Sequence, residues 1–180
     1  MTTLALAAAL ASMGHPHASP ADQARARILA ATIQLAACRH GVDPILLAAV
    51  AVNESNLDPN RIGDLGERGR WQMLPATARE LGFIGSDEAL ARDPINANLA
   101  AAWLAHVKAV CAKHGHRSEA AYVNAYRGAG CRRITGRSWP TAYARRIIGL
   151  AGMARELAER DPGAASLVGF LNHRSKTRKD

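Results

Sequence analysis

The chain has 180 residues and a mass of 19.1 kDa, and 48% of its residues are hydrophobic whereas 4% are aromatic. This length predicts one domain, and the hydrophobic content is sufficient for a buried core, which excludes a chain that is disordered throughout. Because aromatic residues are few and alanine is abundant, we predict an all-α fold. The formal net charge of +8 indicates an anionic partner, and it does not choose among nucleic acid, an acidic membrane surface and a cell-wall polymer.

The two ends of the chain differ in composition from the rest. Residues 1–21 contain an eight-residue apolar run, Leu4 to Ala11, which is followed by small residues but preceded by no Lys or Arg. This segment fits a secretion signal and a flexible leader equally well. Residues 161–180 end in a basic run that we expect to be a flexible, solvated tail. No segment is long and apolar enough to span a bilayer, and residues 22–160 are expected to form the folded domain.

Helix signals recur along the middle of the chain. Asp22 to His40 shows helical apolar spacing through Ile28, Leu29, Ile33 and Leu35. Asp43 and Pro44 are typical of a helix start, and the helix that they begin is apolar on every face and should end near Glu54. Residues 56–70 contain three glycines and no periodicity, which predicts an irregular loop. Further helices are predicted from Pro75 to before Gly82, from Asp93 to His114, from Ser118 across Tyr126, and from Thr141 to Arg160.

The three cysteines are an odd set, so at most one disulfide forms within the chain. If the helices around Cys111 and Cys131 are antiparallel, the two residues lie too far apart for a bridge, and with Cys38 we expect three free thiols. Cys111 and Cys131 could also form a zinc set with His114 and His116. The two histidines flank a glycine at a helix end, which favours a C-terminal cap, and we predict no metal site.

Glu54 is the candidate acid. It follows a helix that is apolar on every face, so its carboxyl should be poorly solvated, and it lies near the helix C-terminus, where the helix dipole disfavours negative charge. Both effects raise a carboxyl pKa, and a carboxylic acid that keeps its proton near neutral pH can act as a general acid. The alternative is a glutamate that turns outward into water at the end of a helix.

The loop after Glu54 has features of a ligand site. Gly63, Gly66 and Gly69 would allow positive φ values and a close approach of the backbone to a ligand. A flexible connection is one alternative, and a G-x-x-G clamp on nucleic acid is another, although that module needs a sheet. Gln72 follows a tryptophan and precedes apolar residues, so its amide borders either a pocket or the core. A core tryptophan beside a surface glutamine is the simpler interpretation.

Together these residues resemble the lytic transglycosylases of the goose-type lysozyme superfamily. That family has the pattern E-S, then G-x-x-G-x-x-Q-x-x-P-x-T-A, which is matched here by Glu54, Ser55, Gly66, Gly69, Gln72, Pro75, Thr77 and Ala78. The resemblance covers roughly Ala21 to Leu157, with a third motif at Ala125 to Gly130. Arg127 stands where the family usually has Asn. Arg70 and Trp71 replace a small or apolar pair, which predicts a narrower or more basic cleft.

The resemblance implies a single lysozyme-like helical domain whose irregular loop forms one wall of a sugar cleft. It implies that Glu54 protonates the oxygen of the MurNAc–GlcNAc bond and then accepts the proton of the muramic C6 hydroxyl, which gives a 1,6-anhydro product without a metal or organic cofactor. It also implies residues that position the glycan or the acid, namely Ser55, Gly66, Gly69, Gln72 and Tyr126. Of these, Tyr126 is expected to hydrogen-bond to the Glu54 carboxyl.

Two other functions remain open. A hydrolytic lysozyme would need a water-activating carboxylate, such as Asp58 or Asp64, facing Glu54. A non-enzymatic basic module would bind cell-wall glycan or nucleic acid. For the transglycosylase we expect peptidoglycan glycan strands as substrate, secretion-system or phage-virion components as further partners, and no nucleic acid. The chain would be periplasmic or secreted if the leader is a signal peptide, and phage-associated otherwise.

Overall fold

The computed structural model describes residues 20–128, 130–131 and 140–160. In these residues the chain forms seven helices: α1 (Pro20–His40), α2 (Pro44–Ser55), α3 (Pro75–Glu80), α4 (Asp87–Leu90), α5 (Asp93–Lys113), α6 (Glu119–Tyr126) and α7 (Ala142–Arg160). The described residues contain no strand, only two isolated bridges within the loop between α2 and α3. The all-α prediction is confirmed. The expected leader, apart from its last two residues, and the expected tail lie outside the described residues.

The first and fourth helices differ from the prediction. α1 begins at Pro20, two residues earlier than expected, and its predicted apolar face is partly wrong because Ile28 and Leu35 are 68% and 61% exposed. Its buried face consists of Ala26, Leu29, Ala30, Ile33, Ala36 and Ala37, and the small alanines allow close packing against α5. α4 was not predicted, because four residues are too few to show a helical period. None of the helices in the described ranges combines the length and the apolar character that a membrane span requires.

α2 is the most deeply buried helix and carries the candidate acid at its end. The carboxylate of Asp43 accepts a hydrogen bond from the backbone N–H of Ile45 (2.7 Å), and Pro44 occupies the first turn. Residues 46–52 are all buried, and burial of a Leu or Val side chain stabilises a fold by about 1.5–3 kcal/mol. The helix packs against α1 on one side and α7 on the other. The position of Glu54 is therefore fixed by the core beneath it.

Arg155 in α7 joins three helices. Its guanidinium donates to the carboxylate of Asp43, just before α2, and to that of Glu119 at the start of α6 (Nη2 to Oε1, 2.7 Å). Because all three side chains are about one-third exposed, this network contributes more to geometry than to stability. It sets the register of α7 against α2, and this places Tyr143 of α7 beside the end of α2.

A disulfide joins Cys111 in α5 to Cys131, with a Cα–Cα distance of 5.1 Å, so the prediction of three free thiols is wrong. The chain reverses after α6 through Gly128 and Gly130, which have φ values of 86° and 68°, and so returns Cys131 to α5. Cys38 is free and exposed. The two bonded cysteines supply no thiolate to a metal, and no group of three or more His, Cys, Asp or Glu in the described ranges is arranged to hold one.

Candidate active site

A cleft of about 380 Å³ lies between the end of α2, the following loop, α6 and α7. Its lining combines aromatic rings with charged and amide side chains: Asn53, Glu54, Glu67, Gln72, Met73, Leu74, Thr77, Trp103, Tyr126, Arg127, Gly128, Tyr143 and Arg146. Rings that present apolar faces beside polar groups that form hydrogen bonds are suited to a polar ligand with flat surfaces, such as a sugar.

Glu54 lines the cleft with a carboxyl that is largely removed from water. Burial raises its pKa above the usual value for Glu, as the sequence predicts. A hydrogen bond from the Tyr143 hydroxyl to Glu54 Oε1 and the positive charge of Arg127 act in the opposite direction, and the neighbouring Glu67 raises the pKa again. The outward-turned alternative is excluded, because this side chain is half-buried and hydrogen-bonded within the protein.

Tyr143 donates the hydrogen bond to the Glu54 carboxyl that was predicted for Tyr126. The hydroxyl of Tyr126 donates to the carbonyl oxygen of Trp71 (3.0 Å) and lies 3.4 Å from Sδ of Met73, so the prediction that it holds Glu54 is wrong. Tyr126 still lines the cleft with its ring. Burial and the nearby Glu54 raise the pKa of Tyr143 well above its ordinary value, so its hydroxyl keeps its proton and remains a donor. The signal that could have found it is a phenol among the apolar residues of an amphipathic helix, where a buried hydroxyl needs a partner.

The two loop glycines of the family pattern do not line the cleft. Gly69 has a φ of 73°, and a Cβ atom on it would lie 2.8 Å from Oδ1 of Asn96, so only glycine fits. Gly66 has a φ of 83° and faces open space, and its N–H donates to the carbonyl oxygen of Gly63 (3.1 Å). Both residues shape the loop, and neither supplies a surface to the cleft.

Asn96, which the sequence analysis did not single out, fastens this loop to α5. Its side chain is fully buried. Its Oδ1 accepts from the backbone N–H of Trp71 (2.9 Å), and its Nδ2 donates to the carbonyl oxygens of Arg68 (2.9 Å) and Leu90 (3.0 Å). An asparagine within the apolar run INANLAAAW is the signal that could have found it, because a buried amide must be satisfied.

Ser55 and Gln72 have different positions. The Ser55 hydroxyl donates to the carbonyl oxygen of Arg70 (2.8 Å), which ties the loop to α2, and Ser55 is not part of the cleft lining. Gln72 does line the cleft, although its Nε2 donates to the carbonyl oxygens of Arg61 (3.0 Å) and Gly69 (2.8 Å). Its φ of 47° lies in the left-handed region, which directs its side chain differently from those of its neighbours.

The residues that were expected to make the cleft narrower or more basic lie elsewhere. Trp71 is a core residue with no exposed surface, and its Nε1 donates to the carbonyl oxygen of Leu47 (2.8 Å). Arg70 forms an ion pair with Asp93 (2.7 Å) and donates to the carbonyl oxygen of Leu57. Neither side chain lines the cleft, so that expectation is wrong.

The carboxylates named for a hydrolytic enzyme are also outside the lining. Asp58 is exposed, and its Oδ1 accepts from the N–H of Asn60 (2.9 Å) as an ordinary turn residue. Asp64 is exposed and does not line the cleft. The second carboxylate of the lining is Glu67, whose Oε2 accepts from the N–H of Leu65 (2.9 Å) within its own loop.

An all-helical domain with a buried acid beside an aromatic and polar cleft belongs to the lysozyme-like class. The sequence profile of the Transglycosylase SLT domain family matches residues 31–138, which is more than half of the chain. The chain therefore belongs to this family and is an enzyme, a peptidoglycan lytic transglycosylase. This overturns the alternative of a non-enzymatic module. A comparison with curated proteins gives no match. The family match ends before α7, so the contact between Tyr143 and Glu54 is known from the structure and not from the family match.

Proposed function

We propose that this lytic transglycosylase cleaves the β-1,4 bond between MurNAc and GlcNAc and forms 1,6-anhydro-MurNAc, with Glu54 as general acid and then as base. The observation that supports this proposal most directly is the environment of Glu54. Burial favours its neutral form, whereas the Tyr143 hydroxyl and the charge of Arg127 favour its anion. A group that must first give and then take a proton needs both forms to be accessible, and these opposed effects provide that balance.

The reaction that we propose has two proton transfers and no water. The protonated Glu54 carboxyl gives its proton to the glycosidic oxygen as the bond from that oxygen to C1 of MurNAc breaks. The C6 hydroxyl oxygen of the same sugar then bonds to C1, and its proton passes to the Glu54 carboxylate, which restores the acid. During the interval in which Glu54 is charged, the hydrogen bond from Tyr143 stabilises the anion.

Several groups beside the acid are suited to hold the glycan. Asn53 precedes Glu54 and lines the cleft, and its Oδ1 is buried with no hydrogen-bond partner in the described part of the chain. Because this oxygen has almost no exposed surface, it could accept from the N–H of an acetamido group or from a sugar hydroxyl only after the amide turns towards the cleft. Trp103 and Tyr126 present rings to the same space, and the Trp103 Nε1 donates to the Tyr126 carbonyl oxygen (3.0 Å), which fixes its ring.

Hydrolysis is the second candidate reaction, and one observation favours it. Glu67 lines the same cleft as Glu54 and is close enough to influence its pKa. If water were activated in this cleft, Glu67 would be the base, in place of the aspartates named from the sequence. The hydrogen bond from Leu65 to Glu67 holds this carboxylate against its own loop, which is why we favour the anhydro product.

We also propose that the enzyme acts in the periplasm or outside the cell. The disulfide between Cys111 and Cys131 supports this location, because such bonds persist in oxidising compartments. Secretion-system or phage-virion components as partners remain proposals that rest on the family alone.

Mass spectrometry of the muropeptides released from purified peptidoglycan tests the reaction. The wild-type enzyme should release anhydro-muramyl ends, and Glu54→Gln should release none. Glu88→Gln is the matched control, because Glu88 is exposed and lies outside the cleft lining. Reducing ends from the wild type that disappear in Glu67→Gln would show a hydrolase and would refute the proposal.

A further inference from the structure

Two arginines lie in the wall of the cleft beside the reacting groups. Arg127 follows the last residue of α6, and Arg146 lies three residues after Tyr143 in α7, so Arg146 and Tyr143 share one face of that helix. Both arginine side chains line the cleft and are exposed to solvent. The guanidinium carbon of Arg127 lies 5.5 Å from the centre of the Tyr143 ring, a cation–π contact that restricts the side chain.

Neither charge is neutralised within the part of the protein that the structure describes. Arg70, Arg79 and Arg155 form ion pairs with carboxylates, whereas no carboxylate of the described residues lies within ion-pair distance of Arg127 or Arg146. The charge of Arg127 reaches Glu54, where it lowers the pKa, so Arg127 is close to the place where the bond is cleaved. Glu67 is the other acid of the lining, and it accepts a hydrogen bond from its own loop, without an ion pair to either arginine.

A cleft for uncharged sugars would not need two unpaired guanidinium groups. The rings, hydroxyls and acetamido groups of the glycan are neutral, whereas the muramic acid residue carries a carboxylate, either on its lactyl group when the stem peptide is absent or within the stem peptide. A guanidinium binds a carboxylate through parallel N–H donors, which gives direction as well as charge. Contact with the Tyr143 ring favours one orientation of Arg127 before a ligand arrives, which lowers the entropy that binding removes.

We propose that Arg127 and Arg146 bind a carboxylate of the muramic acid residue at the scissile bond and so make the enzyme selective for anionic glycan. This inference rests on the proposed function, because it assumes that the cleft holds the MurNAc–GlcNAc linkage beside Glu54.

Steady-state kinetics on three matched substrates tests the proposal. The first is glycan strands that carry stem peptides, the second is the same strands after removal of the peptides by an amidase, and the third is the second with its lactyl carboxylates converted to methylamides. Arg127→Gln and Arg146→Gln should each raise KM by about five- to tenfold on carboxylate-bearing strands, as expected for a lost charge-assisted hydrogen bond in a solvated cleft. On the neutral strands KM should not rise, whereas kcat of Arg127→Gln should change on all three substrates alike, because the Arg127 charge acts on the pKa of Glu54.

Arg117→Gln is the matched control, because Arg117 is exposed, lies outside the cleft lining and has the same charge. Arg127→Lys should recover part of the loss, since it restores the charge without the planar group. If KM also rises on the peptide-free strands, the carboxylate that the arginines bind is that of the lactyl group. If KM rises on the peptide-bearing strands alone, the bound carboxylate belongs to the stem peptide. Equal increases on the neutral strands, or no difference from Arg117→Gln on any strand, would overturn the proposal.

Binding measurements separate this inference from the reaction itself. In the Glu54→Gln background no bond should be cleaved, so the Kd for each fluorescent strand can be measured directly with and without Arg127→Gln. Weaker binding of anionic strands alone supports carboxylate recognition even if the wild-type product has a reducing end. If the wild type gives anhydro ends but Arg127→Gln leaves every Kd unchanged, the proposed reaction stands and the carboxylate site does not.

Discussion

Replacing Tyr143 with Phe removes one hydroxyl from the cleft and leaves the ring and its neighbours in place. That hydroxyl donates to Glu54 Oε1 and stabilises the carboxylate form. Its loss should therefore raise the pKa of Glu54 further above the usual range for Glu. A carboxyl with a raised pKa keeps its proton to higher pH, so the general acid should remain active at pH values where the wild-type enzyme is losing activity.

The size of this effect follows from the strength of the contact. A hydrogen bond to a charged group stabilises it by about 1.5–3 kcal/mol, and the lower end applies here because cleft water can replace the hydroxyl. About 1.4 kcal/mol corresponds to a factor of ten in an ionisation equilibrium, so the alkaline limb of kcat/KM should move up by about one pH unit. Because the anion formed during the reaction is also less stable, kcat at acidic pH should fall by up to about tenfold.

Initial rates on a peptidoglycan suspension, measured from acidic to alkaline pH, provide the assay. Tyr126→Phe is the matched control, because the Tyr126 hydroxyl donates to the Trp71 carbonyl oxygen and not to Glu54. An alkaline limb that does not move in Tyr143→Phe, or that moves equally in Tyr126→Phe, would refute the assignment of Tyr143 as the residue that positions and stabilises the acid.

Two further predictions concern stability. Asn96→Ala removes the side-chain partner of the Trp71 N–H and of the Leu90 carbonyl oxygen, whereas the Arg68 carbonyl oxygen keeps its hydrogen bond from the Met73 N–H. The change should lower the free energy of unfolding by roughly 2–4 kcal/mol in urea titrations. Asn98→Ala, which affects a half-buried polar contact, should cost less than about 1 kcal/mol, and equal losses would contradict this account of the loop. Replacing Cys111 and Cys131 together with Ser removes a cross-link between residues 20 apart and should destabilise the fold by about 3 kcal/mol. Cys38→Ser should have an effect below about 0.5 kcal/mol, and a comparable loss there would show that the cross-link is not the cause.

The features that the sequence predicted correctly depend on local interactions. Asp43 and Pro44 mark the start of α2 because capping involves residues close together in the chain, and the burial of Glu54 follows from the apolar run before it. The hydrogen bond from Tyr143 to Glu54 joins residues 89 positions apart, and no local pattern encodes which tyrosine α7 brings to the end of α2. Tyr126 was the wrong choice because its place in a family motif does not show which hydroxyl meets the acid in space.

The disulfide was missed for a similar reason. Helix direction alone places Cys131 far from Cys111, and the reversal that brings them together depends on two backbone conformations with positive φ in the glycines after α6. Asn96 was missed because a helical period identifies buried positions by their apolar residues. This asparagine is polar, and it is buried because its amide forms hydrogen bonds with the loop. Composition and period describe how a helix packs, but they do not show which polar atoms meet.

The hydrogen bonds of the loop between α2 and α3 have a consequence for how substrate enters. Ser55 ties the loop to α2, Asn96 ties it to α5, and Arg68 exchanges both backbone hydrogen bonds with Met73. These contacts fix the shape of the cleft wall before any sugar is present. The glycan therefore binds to a preorganised surface, and this loop does not have to close over it. Fixing the backbone of one residue costs about 1–2 kcal/mol in conformational entropy, and for this wall that loss occurs during folding rather than during binding.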